Sequence, residues 1–71
     1  MYKVIIDLRE IDKEGTHCDI NYEYSDKKAA HKVYKKLVKR WKRGGVFELP
    51  YVGGFAVHSS DVLRIRLGKE G

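Results

Sequence analysis

Cysteine and proline are almost absent from this sequence of 71 residues, which has one of each, Cys18 and Pro50. A single cysteine excludes an internal disulfide framework, the usual support of small secreted proteins, and favours a reducing cytoplasmic setting. No apolar run approaches the ~20 residues of a membrane-spanning helix. The N-terminal stretch contains Lys3 and Asp7, which do not suit the apolar core of a signal peptide. We therefore expect a cytoplasmic protein that does not enter a membrane.

Motifs for metal binding and catalysis are missing as well. The chain has no Cys-x-x-Cys or His-x-x-x-His spacing. His17 and Cys18 are adjacent, so in a regular strand their side chains point to opposite faces, and we expect Cys18 in the core. The Gly53-Gly54 pair lacks the Lys-Ser/Thr of a phosphate-binding loop. Because so short a chain is unsuited to a deep cleft, we expect no cofactor, no metal and no enzymatic activity.

The composition nevertheless predicts a folded chain. Hydrophobic residues make up 42% of the sequence and charged residues 35%. This is enough apolar material for a core, without the low hydrophobicity that marks disorder. A chain of 71 residues suffices for one thin core, so we expect residues 1–71 to form a single domain.

Residues 2–9 and 18–24 each alternate between apolar and mostly polar side chains, a period of two that predicts two strands. A turn at 12–15, ending in Gly15, separates the strands and predicts an antiparallel hairpin. One face is apolar, and the other carries the acids Asp7, Asp19 and Glu23, which we expect to be exposed on a solvated sheet.

The C-terminal third predicts three short strands, at residues 46–51, 55–58 and 62–67, with a turn or single helical turn at 59–61. A two-residue hairpin at Gly53-Gly54 would place Phe47 and Val57 on opposite faces. We therefore expect a break or bulge between Leu49 and Gly53, at Pro50, which cannot donate a ladder hydrogen bond.

The segment from Asp26 to Arg43 predicts a long amphipathic helix. Ser25 or Asp26 can cap its start, and Gly44-Gly45 ends it. At 100° per residue its apolar side chains share an arc of roughly 140°, typical of a core-facing stripe. These residues are Ala30, Val33, Tyr34, Leu37, Val38 and Trp41.

Together these elements predict an α+β fold of order ββαββ(β), with one mainly antiparallel sheet and a single amphipathic helix packed across one face. The predicted core consists of Val4, Ile6, Leu8, Cys18, Ile20, Tyr22, Val33, Leu37, Trp41, Phe47, Leu49, Leu63 and Ile65. Many unrelated small proteins share this architecture, so it does not indicate a function.

Positive charge is concentrated in the predicted helix. Residues 26–43 contain nine Lys or Arg and one acid, a net +8, whereas the whole chain is +5 and the remainder is therefore −3. Five pairs of cations are spaced four residues apart, at 28/32, 32/36, 35/39, 36/40 and 39/43. Like charges at this spacing repel, and such a conflict with local stability tends to mark function.

An extended row of cations predicts an extended anionic partner, and nucleic acid, DNA or RNA, fits best. Lysines dominate the row and Asn and Gln are absent from it, so we expect phosphate contacts with weak sequence specificity. Arg64 and Arg66 share one side of the last predicted strand; of the two interpretations, an extension of this binding surface or simple solvation, we favour simple solvation. The predicted nucleic-acid-binding residues are Lys28, Lys32, Lys35, Lys36, Lys39, Arg40, Lys42 and Arg43.

A protein-interaction module is the alternative. The same helix suits docking on an acidic protein, as in a small inhibitor or regulator of the phage or plasmid type. The net-acidic remainder of the chain also suits self-association, with Ile5 and Ile11 on the outer sheet face forming a contact between two copies.

Overall fold

A computed structural model describes residues 1–50 and 56–69. Within them, five strands and one α-helix form an α+β fold, which confirms the predicted class. In chain order the elements are β1 (Tyr2–Ile11), β2 (His17–Tyr24), α1 (Lys27–Arg43), β3 (Val46–Glu48), β4 (Ala56–His58), a 3₁₀ helix (Ser59–Asp61) and β5 (Val62–Lys69).

The described strands form two antiparallel sheets. The larger has the order β2-β1-β5, so the first strand is central, and β3 and β4 pair separately. The β1–β2 turn is held by the carboxylate of Asp12, which accepts hydrogen bonds from the backbone N–H groups of Glu14 and Thr16 at 2.9 and 3.0 Å. Gly15 follows with a φ of 82°, a conformation that favours glycine.

The core lies between α1 and one face of the larger sheet. Val4 and Ile6 of β1 and Leu37 of α1 are almost fully buried there. Each such side chain contributes about 1.5–3 kcal/mol by leaving water. The buried set is Val4, Ile6, Tyr22, Tyr24, Ala30, Leu37, Phe47, Leu49, Val62 and Ile65. Four other predicted core residues, Leu8, Ile20, Val33 and Trp41, are partly buried and pack against it.

Two residues predicted for the core are not part of it, because the strands are irregular. Asp7 pairs with Arg64 whereas Leu8 pairs with Val62, so Leu63 is the extra residue of a β-bulge. The bulge turns Val62 to the buried face in place of Leu63, which is half-buried. Cys18 lies where the β1–β2 register shifts, beyond the Asp7–Asp19 pair, and is also only half-buried.

In the smaller sheet, β3 ends earlier than predicted. Phe47 pairs directly with Val57, so both side chains share a face, unlike in a two-residue Gly53-Gly54 hairpin. Regular pairing ends at Glu48, before Leu49 and Pro50. The rest of the predicted break, including both glycines, lies outside the described residues.

Candidate functional site

The candidate site is the exposed side of α1, a helix whose start and end are fixed by local contacts. At its start, the Asp26 carboxylate accepts a hydrogen bond from the backbone N–H of Lys28 at 3.1 Å, which makes Asp26 the N-cap. At its end, Gly44 and Gly45 have φ values of 85° and 79°, which favour glycine. The predicted helix is therefore confirmed, with 17 helical residues.

The C-terminal end of α1 is tied to the 3₁₀ helix. The indole Nε1 of Trp41 donates a hydrogen bond to the carbonyl of Ser59 at 3.1 Å. The backbone N–H of Ser59 in turn donates to the carbonyl of Gly45 at 2.8 Å. Trp41 is half-buried and also packs on the core, so these contacts hold the C-terminal end of α1 in place. With 17 residues, the helix is about 25 Å long.

All eight predicted site cations lie on α1, on the side away from its apolar stripe. Seven of them are exposed and Arg40 is half-buried. The eight residues, here called the cationic face, are Lys28, Lys32, Lys35, Lys36, Lys39, Arg40, Lys42 and Arg43. The first turn of the helix contains no acid.

The cationic face is not neutralised by the described part of the chain. Within residues 1–50 and 56–69, none of its side chains forms a salt bridge with a carboxylate at 4.0 Å or less. Arg40 Nη1 makes the one hydrogen bond from these side chains to a described residue, reaching the carbonyl of Glu48 at 3.5 Å. The charge is therefore available to an external anion.

This arrangement costs stability. All five like-charged pairs spaced four residues apart fall inside α1. At ~0.2–0.5 kcal/mol for each pair, they destabilise the helix by roughly 1–2.5 kcal/mol at low salt. That is a substantial fraction of the ~5–15 kcal/mol by which domains are stable. A bound polyanion would relieve the repulsion.

A groove runs along one edge of the cationic face, between α1 and the end of β3. It has a volume of about 350 Å³. Lys36 and Arg40 border it on the helix side, and its apolar lining is formed by Val33, Leu37, Leu49 and Pro50. We call it the α1–β3 groove. A hollow of about 280 Å³ shares Arg40 and Glu48 with it and continues to Arg43. This groove was not predictable from the sequence, because it depends on where β3 lies against α1.

The outer face of the larger sheet, opposite α1, holds an ion-paired cluster around Asp7. This carboxylate was expected to be exposed, but the residue retains only 6% of its accessible surface. Arg64 and Arg66 lie on the neighbouring strand, and the Nε of each donates a hydrogen bond to Asp7 Oδ2 at 2.8 Å. Arg66 Nη2 also donates to Asp7 Oδ1 at 3.3 Å. The two arginines were expected to be simply solvated and are instead held by Asp7.

Ion pairing in the Asp7 cluster shifts the pKa values of Asp7 and Arg66 in opposite directions. The hydrogen bond from Arg66 is the main factor that lowers the pKa of Asp7, with a smaller contribution from Arg64, and together they outweigh the effect of burial. The same hydrogen bond raises the pKa of Arg66. Because the Asp7 carboxylate is ionised and accepts hydrogen bonds from two arginines, this cluster is a structural ion pair. It lies on the face opposite the cationic face.

The remaining acids of the outer sheet face are partly neutralised too. Glu23 lies 3.7 Å from the Nζ of Lys3 in the cross-strand pair of β1 and β2. Asp19 is exposed and pairs in register with Asp7. Since two of the three acids are matched by cations of the same chain, this face is less acidic than its sequence predicts.

His58 and Ser60 form a hydrogen-bonded pair outside the cationic face. The Ser60 hydroxyl lies 2.7 Å from His58 Nδ1. The same Nδ1 accepts a hydrogen bond from the backbone N–H of Ser60 at 3.1 Å, which makes His58 the cap of the 3₁₀ helix. In the described residues no carboxylate is bonded to His58 to orient it as a general base. The pair is therefore a local cap.

Cys18 is half-buried, whereas the neighbouring His17 is exposed. The Nδ1 of His17 lies 3.0 Å from the carbonyl of Leu8. Partial burial, aided by nearby acids, raises the pKa of the Cys18 thiol, so it is a weak nucleophile at neutral pH. No group of three metal-ligating side chains occurs among residues 1–50 and 56–69.

Comparison of the chain with protein-family models, with curated proteins and with solved structures gave no match. In the described part of the chain, no helix combines the length and the apolar character needed to cross a membrane.

Proposed function

We propose that this protein binds nucleic acid through the cationic face of α1, contacting phosphates with little preference for sequence. The proposal is based on the positive charge of this helix, which is unpaired among residues 1–50 and 56–69. Eight cations project from one fixed helix without an acidic partner in the described residues, although their mutual repulsion destabilises that helix. Release of counterions from nucleic acid provides the affinity that such a surface requires.

The composition of the cationic face supports phosphate contact over base reading. Six of its eight members are lysines, which act as point charges. Only Arg40 and Arg43 have the guanidinium group that reads guanine in two hydrogen bonds. Arg40 is half-buried and already contacts the carbonyl of Glu48. Sequence discrimination is therefore expected to be weak.

The alternative, docking on an acidic protein or on a second copy, has less support. For self-association, the outer sheet face would have to supply the acids. Asp7 is buried under two arginines, and Glu23, although exposed, lies 3.7 Å from Lys3 Nζ. Asp19 is therefore the one of these three acids that forms no salt bridge within the described residues. An acidic partner of another kind stays a second proposal, for which a defined complex with a protein would be required.

Salt-dependent titration tests the proposal. The protein is titrated with duplex DNA, single-stranded DNA and RNA of mixed sequence, and binding is followed by fluorescence anisotropy. Four to six phosphate contacts predict a log–log slope of affinity against salt of about −3.5 to −5.5 on duplex DNA and about −3 to −4 on single strands. Absence of binding to all three at low salt would rule out the proposal.

A further inference from the structure

The α1–β3 groove joins the cationic face along one edge of the helix. At 100° per residue, Arg40 and Lys36 are the two cations nearest to Val33 on the helical wheel. Lys36 and Arg40 therefore belong to two surfaces at once: they are members of the cationic face and they border the groove. A ligand chain whose phosphates follow the cationic face has its attached groups within reach of an apolar groove.

The lining of the groove is mostly apolar, with Lys36 and Arg40 on the helix side and the exposed Glu48 at the end of β3, and it suits a mostly apolar group linked to an anion. Leu49 is buried and provides a floor, while Val33 and Pro50 are half-buried and provide partly accessible walls. The volume of about 350 Å³ is at the lower end of the range for ligand pockets, ~300–1,000 Å³. The guanidinium of Arg40 offers a planar surface at the rim, on which an aromatic ring can stack.

We infer that the α1–β3 groove accommodates an unstacked nucleobase, so that the ligand class is single-stranded nucleic acid. This inference rests on the proposed function and deepens it. In a duplex the bases are stacked and paired and cannot enter a side groove without being flipped out. In a single strand they are free, and proteins that bind such strands combine a cationic track with apolar or aromatic surfaces for the bases.

The test compares two strands of equal length, an oligothymidylate of about 12 nucleotides and a strand of the same length made of abasic sugar-phosphate units. Both have the same charge. Because burial of one base contributes ~1–3 kcal/mol, oligothymidylate should bind about 5- to 150-fold more tightly than the abasic strand. Duplex DNA of the same length should bind more weakly than oligothymidylate at equal salt.

A matched pair of variants locates the effect in the groove. Val33→Thr places a hydroxyl on the groove wall with little change of shape, and Val38→Thr makes the same change on the opposite edge of the apolar stripe, where the side chain is also partly buried. Val33→Thr should reduce the ratio of thymidylate to abasic affinity by about fourfold, and Val38→Thr should not. Unchanged abasic binding shows that each variant is folded.

A third variant separates stacking from charge. Arg40→Lys keeps the positive charge but removes the planar guanidinium, so it should lower thymidylate affinity by a larger factor than abasic affinity. Equal binding of the thymidylate and abasic strands would overturn the inference and leave phosphate binding intact. Equal effects of Val33→Thr and Val38→Thr on the affinity ratio would overturn it as well. Failure of every strand to bind at low salt would overturn the proposed function together with the inference.

Discussion

Replacing Lys32 by glutamate should make the fold more stable while weakening nucleic-acid binding. Lys32 is exposed near the middle of the cationic face and repels both Lys28 and Lys36, one helical turn away on either side. Glutamate at this position changes both repulsions into attractions. With ~0.2–0.5 kcal/mol for each interaction, the free energy of unfolding should rise by about 0.8–2 kcal/mol at low salt.

Urea denaturation followed by circular dichroism measures this change, and thermal melting should show a rise of about 4–8 °C for each kcal/mol. The experiment is done near 0.01 M and near 1 M salt, because the screening length falls from ~30 Å to ~3 Å between them. The gain should shrink strongly at high salt. Packing changes would not depend on salt in this way.

Lys13→Glu is the matched control. It makes the same change of net charge at an exposed turn residue outside α1, and it should give no gain in stability. If Lys32→Glu left the free energy of unfolding unchanged or lowered it at low salt, the cationic face would not be in electrostatic conflict. An equal gain in Lys13→Glu would assign the effect to net charge alone. Either result would refute the reasoning that the charge is kept for binding.

Three further predictions concern the fold that presents the cationic face. Asp7→Asn should lower the free energy of unfolding by about 1–2 kcal/mol near pH 7, since charge-assisted hydrogen bonds to half-exposed arginines are lost. The lowered pKa of Asp7 gives the wild type stability that is present above the ordinary value of 3.8 and is lost as pH falls through the folded-state pKa, so the difference between the two proteins should narrow in acid. Asp26→Ala should cost about 0.5–2 kcal/mol by removing the N-cap, whereas Ser25→Ala should have little effect. Leu37→Ala should cost about 2–5 kcal/mol, because it opens a cavity at a side chain that is 1% exposed.

Chemical denaturation at two pH values, with helix content from circular dichroism, checks all three. A constant difference between wild type and Asp7→Asn from pH 7 to about pH 2 would show that Asp7 is not ionised and ion-paired in the fold. A larger loss for Ser25→Ala than for Asp26→Ala would move the cap by one residue. A cost well below 1 kcal/mol for Leu37→Ala would contradict its place at the centre of the core.

The helix was predictable because its signals are local. Asp26 caps it, Gly44 ends it, and the apolar and cationic sides follow from a period of 3.6 residues, so each of the eight predicted cations lies on α1 where the sequence places it. The α+β class followed for the same reason, since the strand alternation and the helix stripe each need a partner layer.

The irregular features were not predictable, because they depend on tertiary pairing. The bulge that places Val62 in the core, where Leu63 was predicted, is set by how β5 pairs with β1. The environment of the buried Asp7 includes hydrogen bonds from Arg64 and Arg66, which lie 57 and 59 residues away in the chain. The α1–β3 groove needs the placement of Leu49 against Val33, which no local pattern encodes. Such features arise where the fold overrides propensity.

The most direct test of nucleic-acid binding by the cationic face compares two double variants of equal charge. Lys32 and Lys36 are changed to glutamate in one, and Lys13 and Lys69 in the other, so the formal net charge of each falls from +5 to +1. Affinity for single-stranded and duplex DNA is then measured over a range of salt concentrations. We predict that the first variant loses at least about two phosphate contacts from its salt slope, while the second keeps the wild-type slope. Equal losses in both variants would show that binding follows net charge and not the cationic face of α1.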